Sequence, residues 1–287
     1  MIEVRAEVSR EVMDELEDLV FELEDATRWN LFENFENKGY WVQGIFESDE
    51  DAKSAWAELA SVASLTCEPS FSELEDKEWK DSYKEHFHPW SIGTVHWVPD
   101  WLRESYELPE GHQVVWLDPG LAFGTGNHGT TRLCVEQLIA FKETCSDLKT
   151  AKVVDAGCGS GILAISATKL GFSNVEAFDY DPEAVSVAID NAKMNDVPSV
   201  DYFVGDLTNG FRGEKADCLM ANILANILMK HAGELIDAVA SGGTLILSGI
   251  LGEEAERVRD FFEKQDGLGS GSITYMDEWS CIVFTRS

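Results

Sequence analysis

Bases are scarce in this sequence. Twenty-two lysines and arginines stand against 53 acids among 287 residues, a formal net charge of −31. A surface of that sign repels phosphates, which argues against RNA or DNA as the direct substrate. A basic protein would instead be drawn to it. The other reading of the charge is a solvated or salt-adapted surface with no bearing on partners. Paired cysteines are also lacking. The six cysteines are scattered without a C-x-x-C pair, so neither a disulfide framework nor a zinc site is indicated. No apolar run is long enough to span a bilayer. The first residues, Met1 to Glu7, carry no apolar signal core. A cytoplasmic monomer with no membrane partner is therefore expected. What is present is an ordinary globular content of 44% hydrophobic residues, and a length that accommodates one large and one small domain.

The chain is organised around Val153-Val154-Asp155-Ala156-Gly157-Cys158-Gly159-Ser160-Gly161, followed by the helical apolar pattern Ile162-Leu163-Ala164-Ile165. This reads as a strand, a tight glycine turn and a helix start. Glycine there permits positive φ and close approach of a ligand to the backbone. The helix start behind it offers free N–H groups. Cys158 reads as a small filler. The next strand, 174–178, runs into Asp179, about 20 residues past the turn, where a carboxylate can grip the hydroxyls of an adenosine ribose. A dinucleotide fingerprint fails from Gly157, because Ile162 holds the sixth position. It passes from Gly159 through Gly161 to Ala164. Asp155 argues against it, since a carboxylate there would face a pyrophosphate badly and suits a cation such as an amino group. The Asp-x-Gly-x-Gly-x-Gly run resembles the first motif of S-adenosylmethionine-dependent methyltransferases.

Taken in order, residues 2–8 alternate like a strand. Residues 9–25 carry helical spacing with Ser9 as N-cap. Residues 28–35 and 40–47 read as strands around an Asn37-Lys38-Gly39 turn, residues 50–63 as a helix and 64–71 as a last strand. The order β-α-β-β-α-β predicts a small ferredoxin-like sandwich. Residues 73–88 read as a connector helix with Trp79, Tyr83 and Phe87 on one face, leading into a strand at 94–99. The aromatics of 79–101 read either as packing or as a substrate groove. His86, His88 and His96 share no helical face, and no metal is expected. From 151 onward, strands near 151–156, 174–179, 200–205, 216–221 and 243–249 alternate with helices near 161–170, 182–194, 225–240 and 252–265. Two further strands, 272–277 and 279–285, close the chain. The fold class expected is α/β, a doubly wound and mostly parallel seven-stranded sheet with a small N-terminal α+β domain. The boundaries are 1–72 for the small domain, 73–100 for the connector and 101–287 for the sheet domain.

Three further stretches can line a ligand. A second glycine-rich loop runs from Asp118 through Phe123-Gly124-Thr125-Gly126 to His128, and a helix from about 130 carries Thr130 and Thr131. Asn222 ends the strand at 216–221. Its amide reads either as a helix cap or as a carbonyl presented to an N–H donor. Asp206, after the strand at 200–205, lies where it can meet an adenine amino group.

At this point the resemblance is specific. Leu117 to Gly126 with His128 and Thr130-Thr131, the run Gly157 to Ile165, Ala221-Asn222-Ile223-Leu224-Ala225 and Leu247-Ser248-Gly249-Ile250-Leu251 together resemble the PrmA family. Trp79, Phe87, Pro89 and Trp97-Val98-Pro99 echo it in the connector. Its members methylate lysine and α-amino groups of the eleventh protein of the large ribosomal subunit. The resemblance spans about 79–285 in sequence and is architectural over 1–72. It implies that Thr131, Gly157, Asp179 and Asn222 contact S-adenosylmethionine, and that the small domain recognises a basic ribosomal protein. Where family members commonly carry Thr-His-Pro, this chain has Asn127-His128-Gly129, which should loosen that loop. The cofactor-binding set expected is then Phe123, Gly124, Thr125, Gly126, Thr131, Asp155, Gly157, Gly159, Asp179, Asp206 and Asn222. Asn222 and His128 are the candidates for catalysis. His128 reads either as a base or as a structural hydrogen-bonder. No Asn-Pro-Pro-Tyr-like tetrad follows Asn222, which weakens chemistry on amides or nucleobases. Other protein lysines, small amines, a non-catalytic cofactor-binding module and a nicotinamide oxidoreductase are the alternatives.

Overall fold

The computed structural model describes residues 2–10, 12–13, 16, 29–34, 39–63, 65, 67–73, 88–117, 129–197 and 199–287. Contacts divide the chain into two units, Met1–His86 and Phe87–Ser287.

In the first unit, β1 (Ile2–Val8), β2 (Trp29–Asn34), β3 (Gly39–Phe46) and β4 (Ser70–Glu73) form an antiparallel sheet in the order β2-β3-β1-β4. That is the strand order of a ferredoxin-like sandwich. Alternation in β1 buries Val4, Ala6 and Val8 on one face. Helix α1 (Asp49–Val62) starts where the Ser48 hydroxyl accepts from the Asp51 N–H at 3.1 Å. It buries Ala52, Trp56 and Leu59. Residues 10, 12, 13 and 16 are helical as expected, and the Ser9 hydroxyl accepts from the Val12 N–H at 3.3 Å. Strand β4 begins six residues later than the sequence suggested. All four of its residues are exposed, so it carries no alternating pattern to read. The first turn of the hairpin at 37–38 and the connector aromatics Trp79, Tyr83 and Phe87 lie outside the described residues.

The second unit is built on a seven-stranded sheet. Its strands are β8 (Lys152–Ala156), β9 (Asn174–Asp179), β10 (Asp201–Val204), β11 (Ala216–Asn222), β12 (Val239–Leu251), β13 (Ser272–Met276) and β14 (Trp279–Thr285). The order is β10-β9-β8-β11-β12-β14-β13, with every strand parallel except β14, which runs antiparallel between β12 and β13. This is the doubly wound, mostly parallel seven-stranded sheet expected from the sequence. Parallel strands covered on both faces read as apolar runs, and β8 is buried at every residue.

Helices α2 (Gly129–Thr144), α3 (Ile162–Lys169) and α4 (Pro182–Met194) pack on one face. Helices α5 (Ala225–Lys230), α6 (Ala232–Ala238) and α7 (Ala255–Glu263) pack on the other. The single helix expected over 225–240 is broken at His231, whose backbone leaves the helical region at φ −109° and ψ 24°. A separate three-stranded sheet, unforeseen in part, joins β5 (Trp90–Ile92), β6 (Val95–Pro99) and β7 (Gln113–Leu117). Trp97 stacks on Trp90 with centroids 4.1 Å apart, and its indole N–H donates to the buried Ser166 hydroxyl at 2.8 Å. For these two aromatics the packing reading holds. No helix among the described residues is long and apolar enough to cross a membrane.

Candidate active site

The glycine turn is fixed by its neighbours. The Gly157 and Cys158 N–H groups both donate to the Phe178 carbonyl of β9, at 2.9 and 3.0 Å. The Asn191 amide of α4 donates to the Ser160 carbonyl at 3.0 Å. Asp155, at the end of β8, is 1% exposed. Its Oδ2 accepts from the Ala164 N–H at 3.1 Å, so the strand's acid satisfies a free donor in the first turn of α3. Its Oδ1 is buried with no partner among the described residues. Burial pushes this carboxyl up to about 7. The Ala164 hydrogen bond lowers it, and the nearby Asp179 charge adds to the rise.

Asp179 ends β9 at 8% exposure. Its Oδ2 accepts from the Gly159 N–H at 2.9 Å and its Oδ1 from the Asp181 N–H at 3.1 Å. Each oxygen keeps a second acceptor site, so the acid can brace the turn and still receive hydroxyls. The Gly205 N–H donates to the Asp179 carbonyl at 2.9 Å, which brings the loop carrying Asp206 beside it. Asp206 is engaged locally. Its Oδ1 accepts from the Thr208 N–H, the Thr208 hydroxyl and the Asn209 N–H, and the Thr208 bonds hold its carboxyl below the usual range. Tyr180, directly after Asp179, is 78% exposed.

Asn222 is the last residue of β11 and is 7% exposed. Its Oδ1 has no partner among the described residues. Helix α5 begins three residues later with Leu224 as N-cap and no side-chain cap, so Asn222 is not a cap. The residue that follows sets its position. A Cβ on Gly157 would lie 2.7 Å from the Ile223 side chain, and a Cβ on Gly249 would lie 2.5 Å from the Ile223 carbonyl oxygen. Both glycines have positive φ, +75° and +80°. Ile223 is thus wedged between the ends of β8 and β12, and Asn222 is held with it. Glycine at 249 is required by this close approach and was not read from the sequence as a site feature.

Thr131, in the first turn of α2, is fully buried, and its Oγ1 also lacks a partner among the described residues. The Ser248 hydroxyl donates to the Thr130 carbonyl at 3.3 Å and to the Ser280 carbonyl at 3.0 Å, tying α2 to the sheet. Phe123, Gly124, Thr125, Gly126 and His128 lie outside the described residues. His96 belongs to another cluster. Its Nδ1 meets the Tyr106 hydroxyl and its Nε2 meets His112 Nδ1, each at 2.7 Å.

Asp155, Thr131 and Asn222 thus present three buried oxygens without partners at the carboxyl-end side of a parallel sheet. Buried polar atoms are rarely left unpaired, so a polar ligand fits here. The acid suits an ammonium group and the two neutral acceptors suit N–H or O–H donors. Together with the Asp179 carboxylate, this donor set fits S-adenosylmethionine.

A family model described as "Ribosomal protein L11 methyltransferase (PrmA)" matches residues 3–287. The chain is similar to the ribosomal protein L11 methyltransferase of Shewanella baltica strain OS155, at 37% identity over 251 residues, covering 85% of this chain and 81% of that protein. It is 42% identical over 218 residues to the protein of that name from Geobacter sulfurreducens, covering 75% and 69%. Among solved structures it resembles the ribosomal protein L11 methylase of Lactobacillus delbrueckii subsp. bulgaricus, with a TM-score of 0.60 and 30% identity, over 70% of this chain and all of that one. On the whole-length match, the chain belongs to the ribosomal protein L11 methyltransferase (PrmA) family.

Proposed function

We propose that this chain transfers methyl groups from S-adenosylmethionine to lysine side-chain and N-terminal amino groups of ribosomal protein L11. The observation that carries the reading is the family match over residues 3–287, which takes in the small N-terminal unit as well as the sheet. When bound, S-adenosylmethionine would supply its sulfonium methyl group to an amine, with the N–C bond formed as the C–S bond breaks, S-adenosylhomocysteine as leaving group, and no metal required. The residues of the chain have to bind, orient and exclude. The Asp155 carboxylate receives the ammonium of the methionine part, and Asp179 receives the ribose hydroxyls. Thr131 and the Gly157 and Gly159 turn would line the cofactor, the family resemblance adds Phe123, Gly124, Thr125 and Gly126 to that set, and Asp206 would meet the adenine amino group.

Asn222 accepts an N–H of the incoming amine and so aims its lone pair. Positioning of this kind can supply about 7–11 kcal/mol of the barrier. A lysine amine with a reference pKa of roughly 10.4 must first lose a proton. His128 is the candidate to assist that loss.

The domain roles follow from the same reading. Residues 1–72 recognise the protein substrate, 73–100 connect, and 101–287 carry the methyl transfer. The enzyme acts as a cytoplasmic monomer, without direct contact to nucleic acid or membrane. The test is turnover of S-adenosylmethionine with purified L11, with mass spectrometry locating the methyl groups. A fragment beginning near Leu74 should bind the cofactor and fail to methylate L11. Full activity of that fragment would move substrate recognition to the second unit. Cofactor binding without turnover would favour a non-catalytic module.

A further inference from the structure

The glycine turn cannot hold its own shape. Gly157, Gly159 and Gly161 sit at φ +75°, +50° and +77°, and glycine loses more conformational freedom on ordering than any other residue. The bonds that fix such a turn have to come from outside it. Some come from β9, through Phe178 and Asp179. Two more come from α4 and α3, and both lead on to the small sheet β5-β6-β7. Along α4, the Asn191 amide donates to the Ser160 carbonyl at 3.0 Å. One helical turn later, the Asn195 amide donates to the Asn191 backbone carbonyl at 2.8 Å and to the Trp116 backbone carbonyl at 2.6 Å. Its oxygen accepts from the Trp116 N–H at 2.8 Å. Through α3, the Trp97 indole of β6 donates to the Ser166 hydroxyl at 2.8 Å, and that hydroxyl donates to the Ile162 carbonyl at 2.6 Å. The two relays end on Ser160 and Ile162, the residues on either side of Gly161.

Burial makes these bonds rigid. Trp97, Ser166, Asn191 and Asn195 are each at most 2% exposed, so water cannot stand in for a lost partner. Local structure explains only part of them. A helical serine commonly bonds back to the carbonyl four residues before it. Here the Trp97 indole occupies the oxygen of Ser166 and leaves its proton for Ile162. A terminal asparagine needs no more than its own helix, yet Asn195 spends three bonds, two of them on a residue 79 positions away in sequence. β7 is the last strand in the order β5-β6-β7. Asn195 gives it the N–H and C=O partners that a further strand would.

We infer that Trp97, Ser166, Asn191 and Asn195 are positioning residues for the cofactor, through which the small sheet holds the glycine turn in its binding shape, a reading that rests on this turn being part of the cofactor site. Asn195 lies one helical turn, about 6 Å, beyond Asn191. Both of its amide hydrogens are already taken, by Asn191 and Trp116. It therefore acts on the ligand through the turn and not by touching it. The gain is pre-organisation. A turn that is already in place does not have to be ordered when the cofactor arrives, so the ordering cost is not subtracted from affinity.

The test uses the full chain and S-adenosylhomocysteine, and needs no protein substrate. Asn195→Ala breaks the first relay. Ser166→Ala breaks the second with a small change that leaves the Trp90–Trp97 stack in place. Phe262→Leu, in the core on the other face of the sheet, is the control for a loss of stability alone. Calorimetric titration gives Kd, and thermal melting gives Tm. Kd should rise about fivefold in Asn195→Ala and in Ser166→Ala. It should stay at the wild-type value in Phe262→Leu, although Tm falls there too. Asn191→Ala should also weaken binding, and adding Asn195→Ala to it should weaken binding little further, because Asn195 acts through Asn191. Wild-type affinity in either broken relay, a Kd shift in Phe262→Leu as large as theirs, or fully additive losses in the asparagine pair would each overturn the positioning role and leave the cofactor site standing. Failure of the wild type to bind S-adenosylhomocysteine overturns both.

Discussion

Ionised Asp155 should destabilise the folded protein. Its carboxyl is pushed to about 7 from an ordinary 3.8, chiefly by burial. At about 1.4 kcal/mol per pH unit, holding the ionised form in the folded protein costs about 4 kcal/mol. The folded state binds the proton more tightly than the unfolded one. Stability from this group is therefore complete below pH 3.8, falls as pH rises and levels off above about 7. Asp155→Asn is neutral throughout and keeps an oxygen for the Ala164 N–H. Its stability advantage over the wild type should grow by about 2 kcal/mol between roughly pH 5.5 and 8.5, whatever constant offset its new amide N–H introduces.

Binding should move the opposite way. Losing the charge should weaken S-adenosylmethionine by about 1.5–3 kcal/mol at the higher pH. In the wild type, affinity should itself fall about sixfold from pH 8.5 to 5.5, because the carboxyl must ionise to meet an ammonium and an α-amino group, with a pKa of about 7.8, is itself mostly neutral at the higher pH. Urea denaturation and titration calorimetry at the two pH values measure both trends. A stability difference between the proteins that does not change with pH would refute the buried-charge account. A wild-type affinity that is flat with pH would remove Asp155 from the ammonium site.

Three more outcomes are expected. Asp179→Ala should weaken S-adenosylmethionine by about 1.5–3 kcal/mol, and calorimetry giving wild-type affinity in a folded variant would take Asp179 out of the site. Gly249→Ala puts a Cβ 2.5 Å from the Ile223 carbonyl at a positive φ, so it should lose at least about 1–3 kcal/mol of stability and also lower kcat by displacing Asn222. Wild-type melting and turnover would show that the wedge is not rigid. For the acidic surface, kcat/KM on the protein substrate should drop as salt rises from low to physiological, where the Debye length is about 8 Å, while cofactor affinity changes much less. A flat salt series would favour the reading in which the acids serve solubility.

Local chemistry made much of the fold legible. Alternation marks β1, Ser48 and Asp181 cap α1 and α4, and the buried runs of β8 and β11 read as parallel strands. Misplacements fall where tertiary context decides. β4 is exposed along its length and exists because β1 offers it an edge. The break between α5 and α6 falls at His231, while the helix-weakening Gly233 two residues on sits inside α6, so it gave only an inexact signal of where the helix breaks. β5 is three residues long and is held by pairing with β6 and by the Trp90–Trp97 stack.

The site divides along the same line. Gly157 and Asp179 could be named because a turn and an acid at a fixed separation act through backbone geometry that the sequence encodes locally. Ile223 could not. Its importance comes from lying against Gly157 and Gly249, residues that only the sheet order brings to it. Asp155 shows why a motif understates its own residues. Its position in the motif suggests a partner for a cation, yet one of its oxygens already closes the first turn of α3. Replacing it therefore perturbs helix and ligand together, and only a measurement that separates stability from affinity, at more than one pH, can apportion the two.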